Sequence, residues 1–547
     1  MSREQKVWFG LALLVLLLNV PMRWCVVRWD LTQDGRYTLH EPSLRALDKV
    51  NAPVEVTLYL EGDMNSGFQR LRDATLFLLE ELHHHNRLLS LRTEPIEERE
   101  YTLLQQRGYA PITVHERARD GKTMQTRVWP YCQMEYKGKK MVVNLLQQQR
   151  GLSGEENLNI SAEGLEYAFM ETLHTLQKEE VERIAFLEGH GELSDTQVYD
   201  WTQALRRYFQ IDRGVLGDET GVLDAYKAVV VADPQAPFSE TDKAVLDQYI
   251  MHGGRVMWLL NGVRFSEDML SEDGITPIVR LDLNLNDMLF RYGVRINPAL
   301  VQDLQCLRLP VDVSSDPARP NYQPLPWTYA PLLLTNGESP ITHNTMQVSA
   351  TMASLVDIVG GDDGLDKTVL LATSTASALT PAPAEVDLSD LQIDGERFRQ
   401  AYMPVAVSVE GVFGSFFTHR ILPPSLVRDS NWLDAGMSRQ VVVAAGSVAR
   451  NEWQDGQPLP VGYDRYTKTQ FGNRDFLVQA LLWLTDDSDL IQLRQKTVAL
   501  RLINDKKAYQ HRTAIQWISL VAPVAILLLI GSMVMGARYF AYQKHKL

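Results

Sequence analysis

The sequence predicts an α/β body held between two transmembrane helices, one at each end of the chain. Two apolar segments without a charged side chain, residues 7–22 and residues 513–537, flank a long polar body. Inside that body, strands that are apolar throughout alternate with amphipathic helices. This alternation is typical of a parallel sheet that is covered by helices on both faces.

The length of the terminal segments predicts that both cross a membrane. About 20 helical residues span a bilayer core, and residues 513–537 exceed that length. The first segment reaches it only as residues 7–27, which include Arg23, whose long side chain can extend to the lipid headgroups. Membrane lipid is therefore a predicted partner of both ends.

A cleaved signal peptide is the alternative interpretation of residues 7–27. Arg3 and Lys6 would supply its basic region, but the apolar run ends at residues 21–24 (PMRW) without the small residues that a signal peptidase needs. We therefore predict an uncleaved anchor. Two spans place both termini on the same side of the membrane. Basic residues flank both ends of both spans, so charge alone leaves the orientation open.

Composition excludes several classes of function. A net charge of −14 argues against a nucleic-acid partner and against a polybasic membrane-surface role, because both need clustered Lys and Arg. The three cysteines, Cys25, Cys132 and Cys306, form neither a CxxC pair nor a metal-ligand spacing. A disulfide between Cys132 and Cys306 would require the fold to bring them together. We predict no metal site and no cofactor.

Residues 28–178 predict an N-terminal domain of strands and helices. Its second half contains two hairpin-like units that turn near residues 120–121 and 137–138. The predicted elements follow the order β-α-β-β-β-α after a short first helix, with strands and helices at residues 43–50, 54–60, 68–86, 88–95, 112–128, 128–146 and 162–177. This order predicts a thioredoxin-like domain that lacks redox cysteines.

Residues 179–262 and 436–500 predict a second domain, Rossmann-like and built on a parallel sheet. Its apolar strands and the helices between them are predicted at residues 183–187, 197–209, 228–232, 240–252, 255–260, 440–445 and 475–485. Prolines punctuate residues 263–435, which we predict to form a large insertion subdomain.

The candidate ligand-binding residues follow two of these strands directly: Gly189, His190, Gly191, Glu192 and Asp233. Ligands of open α/β sheets bind beyond the carboxyl ends of the strands, where glycines let the backbone approach and free amides can hold an anion. His190 and Glu192 could also exchange protons with a substrate. A tight strand-to-helix turn that needs glycine torsions, with Glu192 as a helix cap, explains the same residues.

Catalytic machinery is missing from the expected positions. A hydrolase or glutamine-amidotransferase-like sheet needs a nucleophile on a sharp turn after a strand, whereas Ser239 stands at a predicted helix N-cap and no Cys follows these strands. Residues 121–123 (GKT) imitate the end of a phosphate-binding loop, but Glu116 replaces its first glycine. We therefore predict no catalytic residue and no ATPase site.

Several passages along the chain together point to one family. The passages are Asp30-Leu31-Thr32 with Arg36-Tyr37-Thr38-Leu39, residues 54–62 (VEVTLYLEG) with Phe68-Gln69-Arg70-Leu71, residues 183–192 (RIAFLEGHGE), residues 246–255 (LDQYIMHGGR), residues 289–294 (LFRYGV) with Val301-Gln302-Asp303, and residues 471–502. In these passages the chain resembles the gliding-motility-associated ABC-transporter auxiliary proteins of the GldG type. The resemblance covers nearly the whole chain, including both predicted spans.

The resemblance implies a two-pass protein of the bacterial inner membrane, with a large periplasmic domain and cytoplasmic termini. Its partners would be a multi-span ABC permease and a separate cytoplasmic ABC ATPase, in a complex linked to gliding or to envelope processes. The resemblance also implies that the second domain is related to amidotransferase-like sheets that lack a nucleophile. That implication agrees with the missing nucleophile.

Two hypotheses follow. The leading one is a non-enzymatic auxiliary subunit whose spans pack against the permease and whose acidic body binds a partner or a substrate. The rival is a membrane-tethered hydrolase or transferase that uses His190 and Glu192. A thioredoxin-like redox protein is a third possibility, and the missing CxxC pair disfavours it.

Overall fold

The computed structural model describes residues 38–62, 64–92, 97–107, 109–117, 123–147, 153–312, 314, 321–361, 364–388, 395–426, 428, 430–486, 489–495 and 512–543. The chain forms two compact units, residues 1–496 and residues 497–547. The span predicted at residues 7–27 and the cysteine Cys25 lie outside the described residues.

The N-terminal part consists of strands and helices in mixed order. The elements are α1 (Glu41–Asp48), β1 (Val54–Leu58), α2 (Ser66–His85), β2 (Leu89–Leu91), α3 (Glu98–Gln106), β3 (Ile112–Arg117), β4 (Thr123–Val128), β5 (Tyr131–Tyr136), β6 (Lys139–Asn144), α4 (Gly154–Glu163) and α5 (Leu165–Gln177). Four of the strands form a sheet of order β2-β1-β5-β6, in which only the β1–β2 pair is parallel. Strands β3 and β4 form a separate hairpin.

The strands of both predicted hairpins are paired, although the turn predicted near residues 120–121 lies outside the described residues. The closing helix predicted at residues 162–177 is present as α5, and a further helix, α4, that was not predicted precedes it. Two helices, α4 and α5, meet at Gly164, and α4 begins with a capping box in which Ser153 and Glu156 bond each other's backbone amides. Helix α3 was not predicted. The thioredoxin-like assignment of this part stays a prediction.

The remaining part of the body carries a second, larger sheet. Its elements are β7 (Glu182–Glu188), α6 (Tyr199–Leu205), β8 (Phe209–Val215), β9 (Ala228–Ala232), α7 (Glu240–Met251), β10 (Arg255–Leu259), β11 (Val263–Arg264), α8 (Glu267–Glu272), β12 (Ile275–Arg280), α9 (Asn286–Arg291), β13 (Val294–Asp303), β14 (Cys306–Asp312), β15 (Tyr322–Thr335), β16 (Val348–Ser349), β17 (Ser354–Ile358), β18 (Leu365–Ala372), β19 (Ser377–Pro381), β20 (Ala384–Asp387), β21 (Pro404–Gly414), β22 (Ala435–Val443), β23 (Trp453–Gln454), β24 (Gln457–Pro458), β25 (Tyr463–Asp464), β26 (Thr469–Gln470) and α10 (Asn473–Thr485). Three short 3₁₀ helices lie at Gly395–Arg397, Gly446–Ala449 and Leu490–Gln495.

Five strands of this sheet are parallel and lie in the order β8-β7-β9-β10-β22. Numbered along the chain, the order is 2-1-3-4-5, in which the first strand lies between the second and the third. The predicted parallel sheet is therefore confirmed. Strand β8 was missed, because the helix predicted at residues 197–209 ends at Leu205 and the chain turns directly into a strand.

Four antiparallel strands continue the sheet beyond β22, in the order β21-β18-β15-β14. All four come from residues 263–435, the predicted insertion, so this segment is built partly into the central sheet. Two three-stranded sheets, β11-β12-β20 and β17-β13-β19, use most of its other strands. The predicted domain boundaries themselves stay predictions.

Helices cover both faces of the parallel strands. On one face α6 and α10 bury Trp201 and Phe476, and on the other α7 buries Leu246 and Ile250 near Trp258. Burying a side chain of this size contributes about 1.5–3 kcal/mol each. This double cover explains why the central strands β9 and β10 consist almost entirely of apolar residues.

The two described cysteines lie in different sheets. Cys132 in β5 and Cys306 in β14 are both unpaired thiols, so the Cys132–Cys306 disulfide does not form. Burial raises the pKa of the Cys132 thiol, and burial together with Asp303 raises the pKa of Cys306 to about 11. Neither thiol is therefore ionised near neutral pH.

The second unit contains one long helix, α11 (Arg512–Gln543). Its stretch from Gln516 to Gly536 is long and apolar enough to cross a membrane, and no other helix among the described residues passes that test of length and composition. The span predicted at residues 513–537 coincides with this stretch. A membrane location of the chain is compatible with it.

One prediction tests the packing of the sheet against α7. Gly436 of β22 passes so close to α7 that an added Cβ would overlap the carbonyl oxygen of Met251. We expect Gly436→Ala to lower the free energy of unfolding by about 2 kcal/mol, because backbone cannot move aside as a side chain can. Gly337→Ala is the control, since its Cβ would meet no atom within 4 Å. Equal denaturation midpoints for the two variants would contradict the packing described.

Candidate functional site

The structure brings the predicted site residues together at one edge of the parallel sheet. Gly189 to Glu192 follow β7, Asp233 follows β9, and these two strands are neighbours. From β7 the chain continues to β8, toward one edge of the sheet, whereas from β9 it continues to β10, toward the other edge. The two connections therefore diverge and open a crevice beyond the ends of β7 and β9, which is where α/β sheets bind ligands.

The backbone of the β7 turn is tied to the β9 turn. The amides of Gln235 and Ala236 both donate to the carbonyl oxygen of His190, at 2.7 and 2.8 Å, and the Leu193 amide donates to Ala232 at 2.8 Å. Gly189 and Gly191 have φ of +112° and +76°. Residues that carry a side chain rarely adopt such φ values, so the turn itself needs glycine at these two positions.

His190 is the centre of an ionic cluster. Its Nδ1 lies 3.1 Å from Glu192 Oε1, and its Nε2 lies 3.4 Å from Asp242 Oδ2 on the first turn of α7. The ring stacks on Phe238, with the ring centroids 3.7 Å apart. The residue is only 8% exposed. Both ring nitrogens are therefore engaged by carboxylates.

The pKa values of the cluster follow from this geometry. Burial alone lowers the pKa of His190, but the hydrogen bonds to Asp242 and Glu192 outweigh it and raise the pKa to about 9. For Glu192 and Asp242, burial raises the pKa, but the hydrogen bonds from His190 outweigh burial and hold both below their usual range. At neutral pH an imidazolium therefore bridges two carboxylates and has no lone pair to accept a proton.

Glu192 is not the helix cap that the turn interpretation assigned to it. Its second carboxylate oxygen accepts a hydrogen bond from the His190 backbone amide at 2.7 Å, and α6 begins only at Tyr199. The N-cap of α7 is Ser239, as predicted, and its hydroxyl bonds Asp242. Ser239 is therefore occupied in a capping box.

Asp233 belongs to a second polar network. Its Oδ1 accepts hydrogen bonds from Asn261 Nδ2 at 2.6 Å and from Gln235 Nε2 at 3.0 Å. The side-chain Oδ1 of Asn261 in turn accepts a hydrogen bond from the Gly446 backbone amide at 3.0 Å. A Cβ at Gly446 would overlap the Asp233 side chain, so glycine is required there.

Sequence reasoning missed Asp242, Asn261 and Gly446. Asn261 and Gly446 lie just beyond β10 and β22, so the rule that selected Asp233 could also have found them. The same rule could not have found Asp242, because Asp242 lies in the first turn of α7 and not after a strand.

The crevice between the two turns has a volume of about 190 Å³, below the roughly 300–1,000 Å³ of pockets for drug-sized ligands. Glu192, Asp233, Asn261 and Arg450 line it together with Phe265. The described lining residues include neither Ser nor Cys. In the part of the chain that the structure describes, no group of three or more His, Cys, Asp or Glu is placed to hold a metal ion.

The expectation that free amides hold an anion here is not supported by the hydrogen bonding. The backbone amides of His190, Leu193 and Gln235 all donate to other groups of the protein. Glu192 and Asp233 add two carboxylates to the crevice, and Arg450 adds one guanidinium. The amides of His190, Leu193 and Gln235 are therefore not available to hold a phosphate.

Comparisons with known proteins bear on the body of the chain. A family model described as an ABC-type uncharacterized transport system matches residues 182–480, from the start of β7 into α10. A second model, described as a domain of unknown function (DUF7088), matches residues 33–135. Comparison with curated proteins returned no significant match.

Two solved structures show weak likeness. The mmIFT52 N-terminal domain is 14% identical with a TM-score of 0.33, and the match covers 56% of this chain and 99% of that chain. A catalytic mutant of Gan42B, a GH42 beta-galactosidase from G. stearothermophilus, is 9% identical with a TM-score of 0.17, covering 65% of this chain and 46% of that chain. With such low TM-scores, neither likeness carries an argument.

One prediction tests the ionic cluster through its pH dependence. Because the pKa of His190 is raised from 6.5 to about 9, its stabilisation is complete below pH 6.5 and is lost as the pH rises through 9. We expect the free energy of unfolding to fall by about 3 kcal/mol over this range. In His190→Gln this fall should disappear, while the control His252→Gln, at an exposed histidine, should retain it. If the free energy of unfolding of His190→Gln fell between pH 6.5 and pH 9 as it does in the wild type, the ionic cluster described here would be contradicted.

Proposed function

This chain belongs to the ABC-type uncharacterized transport system family, and from that premise we propose that it is a non-enzymatic, membrane-anchored auxiliary subunit of such a system. The family match spans 55% of the chain, residues 182–480, and includes the whole parallel sheet. An auxiliary, transport-associated role follows from the family. The absence of enzymatic activity is the part that we propose.

The single observation that carries the non-enzymatic proposal is the state of His190. A general base needs a free nitrogen lone pair within reach of the substrate, whereas both ring nitrogens of His190 contact carboxylates. The described residues of the crevice also offer no hydroxyl or thiol nucleophile. These observations support a binding role over the rival hydrolase or transferase. The raised pKa values of Cys132 and Cys306 equally disfavour a thiol-based redox role.

The finer features of the proposal rest on the resemblance to GldG-type proteins. The body would face the periplasm, both termini would lie in the cytoplasm, and the partners would be an ABC permease and a cytoplasmic ABC ATPase. Helix α11 supports an anchored protein by its length and composition. In a gliding or envelope-associated complex, movement of the permease would reach the body through short tethers.

The crevice at the sheet edge is the proposed place of ligand contact within the body. Gly191 and Glu192 line it from the β7 turn, which also contains Gly189 and His190, and Asp233 lines it from the β9 turn, at the strand ends where α/β sheets bind. Its small volume suits one side chain of a partner or a small polar substrate better than a nucleotide. In this proposal His190 holds the β7 turn in place through Glu192 and Asp242 and does not take part in chemistry.

Affinity purification tests the proposal. From native membranes solubilised in a mild detergent, the tagged chain should co-purify with a multi-span permease and with an ABC ATPase, identified by mass spectrometry. An unrelated anchored protein with a tag in the same position serves as the control. Recovery of the chain alone, when the control behaves as expected, would contradict an auxiliary role.

A second prediction concerns how α11 contacts the permease. Ser532 and Gly536 lie one helical turn apart in α11, and such a pair of small residues lets two transmembrane helices approach closely. We expect Gly536→Leu to reduce recovery of the permease about fivefold, as the loss of one such contact would. The control is Gly531→Leu, the same change on a different side of α11. Equal losses for both variants would show that this face is not the contact.

A further inference from the structure

A second part of the central sheet faces a cavity instead of a helix. Near the end of α10, strands β18, β21 and β22 turn one face toward a cavity of about 400 Å³. From this face Asp366, Glu410 and Arg439 line the cavity, and Trp483 near the end of α10 lines it as well. We call Asp366, Glu410 and Arg439, with Val412 and Met437 beside them, the uncovered face.

Negative charge dominates this cavity. Five carboxylates line it against a single guanidinium, that of Arg439. The Arg439 guanidinium already has two partners. Its Nε donates to Glu410 Oε1 at 2.7 Å, and its Nη1 donates to the backbone carbonyl oxygen of Asp486 at 2.7 Å. The carboxylates are those of Glu338, Asp366, Glu410, Asp486 and Asp489.

Two further arginines near the cavity do not add a free cation to it. Arg494 donates to the carbonyl oxygens of Pro340, Ile341 and His343. Arg45 lies 3.9 Å from Asp489, and both side chains are about half exposed, so this pair is weak. Among the described lining residues, carboxylates therefore outnumber cationic side chains.

The strand register adds an observation that is independent of the charge count. Asp366 of β18 lies directly opposite Glu410 of β21, which in turn lies opposite Arg439 of β22. Like charges directly opposite each other destabilise a sheet. Among the described residues, no ion pair or hydrogen bond compensates the Asp366 carboxylate. Glu410 is paired with Arg439, whereas Asp366 is exposed and its charge is accessible to a cationic group.

The uncovered face continues into an exposed apolar pair. Val412 and Met437 lie opposite each other in β21 and β22, two residues beyond Glu410 and Arg439, so they point to the same side of the sheet. They are 58% and 60% exposed. Carboxylates and apolar side chains are thus adjacent on one surface.

We propose that the uncovered face is a docking surface for a basic, amphipathic segment of a partner protein. Lysine or arginine side chains enter the cavity beside Asp366 and Glu410, and apolar side chains of the same segment pack on Val412 and Met437. Charge complementarity selects a cationic occupant, and the apolar pair selects a peptide over a simple polyamine. The inference rests on the proposed function for the existence of a protein partner, and it specifies that partner's chemistry.

Peptide binding to the full-length chain in neutral-lipid nanodiscs tests the inference. The probe is a fluorescein-labelled peptide of alternating lysine and leucine, followed by anisotropy, with a glutamate–leucine peptide of equal length for comparison. We expect binding of the lysine peptide only, weakened by salt. Asp366→Asn should weaken it about fivefold, as expected for one lost charge pair in a half-open site. Met437→Ser should also weaken it.

The matched control is Glu385→Gln, an exposed carboxylate of β20 in a different sheet, which should leave the affinity unchanged. Asp366→Asn should raise Tm by about 1 °C, because it removes a like-charge pair, so weaker binding could not be attributed to unfolding. Three results would each overturn the inference. Asp366→Asn could bind the lysine peptide with unchanged affinity, the glutamate peptide could bind equally well, or spermidine could displace the probe at equal charge. Because the assay uses the purified chain, its failure is distinguishable from a failure to co-purify a permease.

Discussion

The parallel pairing of five strands, β8, β7, β9, β10 and β22, is the constraint on which the rest of this structure depends. Helices bury both faces of the central strands β9 and β10, which therefore carry almost only apolar side chains. Polar groups are therefore displaced to the strand ends, where Gly189 to Glu192 and Asp233 meet. The chain leaves β7 and β9 in opposite directions along the sheet, toward β8 and β10, and this divergence opens the crevice between the two strand ends.

Electrostatics then decide what that crevice can do. A buried imidazolium between Glu192 and Asp242 joins the β7 turn to the start of α7. Breaking such an arrangement leaves an uncompensated buried charge, so the cluster holds the turn in one geometry. The same pairing removes the proton-accepting capacity of His190. We therefore favour a protein that acts by binding and by transmitting movement over one that transforms a substrate.

Much of the central sheet was predictable because continuous apolar runs have few alternative placements. Strand β9 was predicted with its observed bounds, and Asp233 was placed at the correct edge. Strand β8 was missed because its alternating residues follow α6 after only a short turn. Asp242 was missed because its contact with His190 depends on how α7 packs. The register that sets Asp366 opposite Glu410 likewise arises only when distant strands pair.

The most direct test of the account is the rate of ATP hydrolysis by the permease and the ATPase, reconstituted in vesicles with and without this chain. The account predicts that the chain alone hydrolyses no ATP and that adding it changes the rate of the other two components. An unchanged rate, or hydrolysis by the isolated chain, would contradict the auxiliary role.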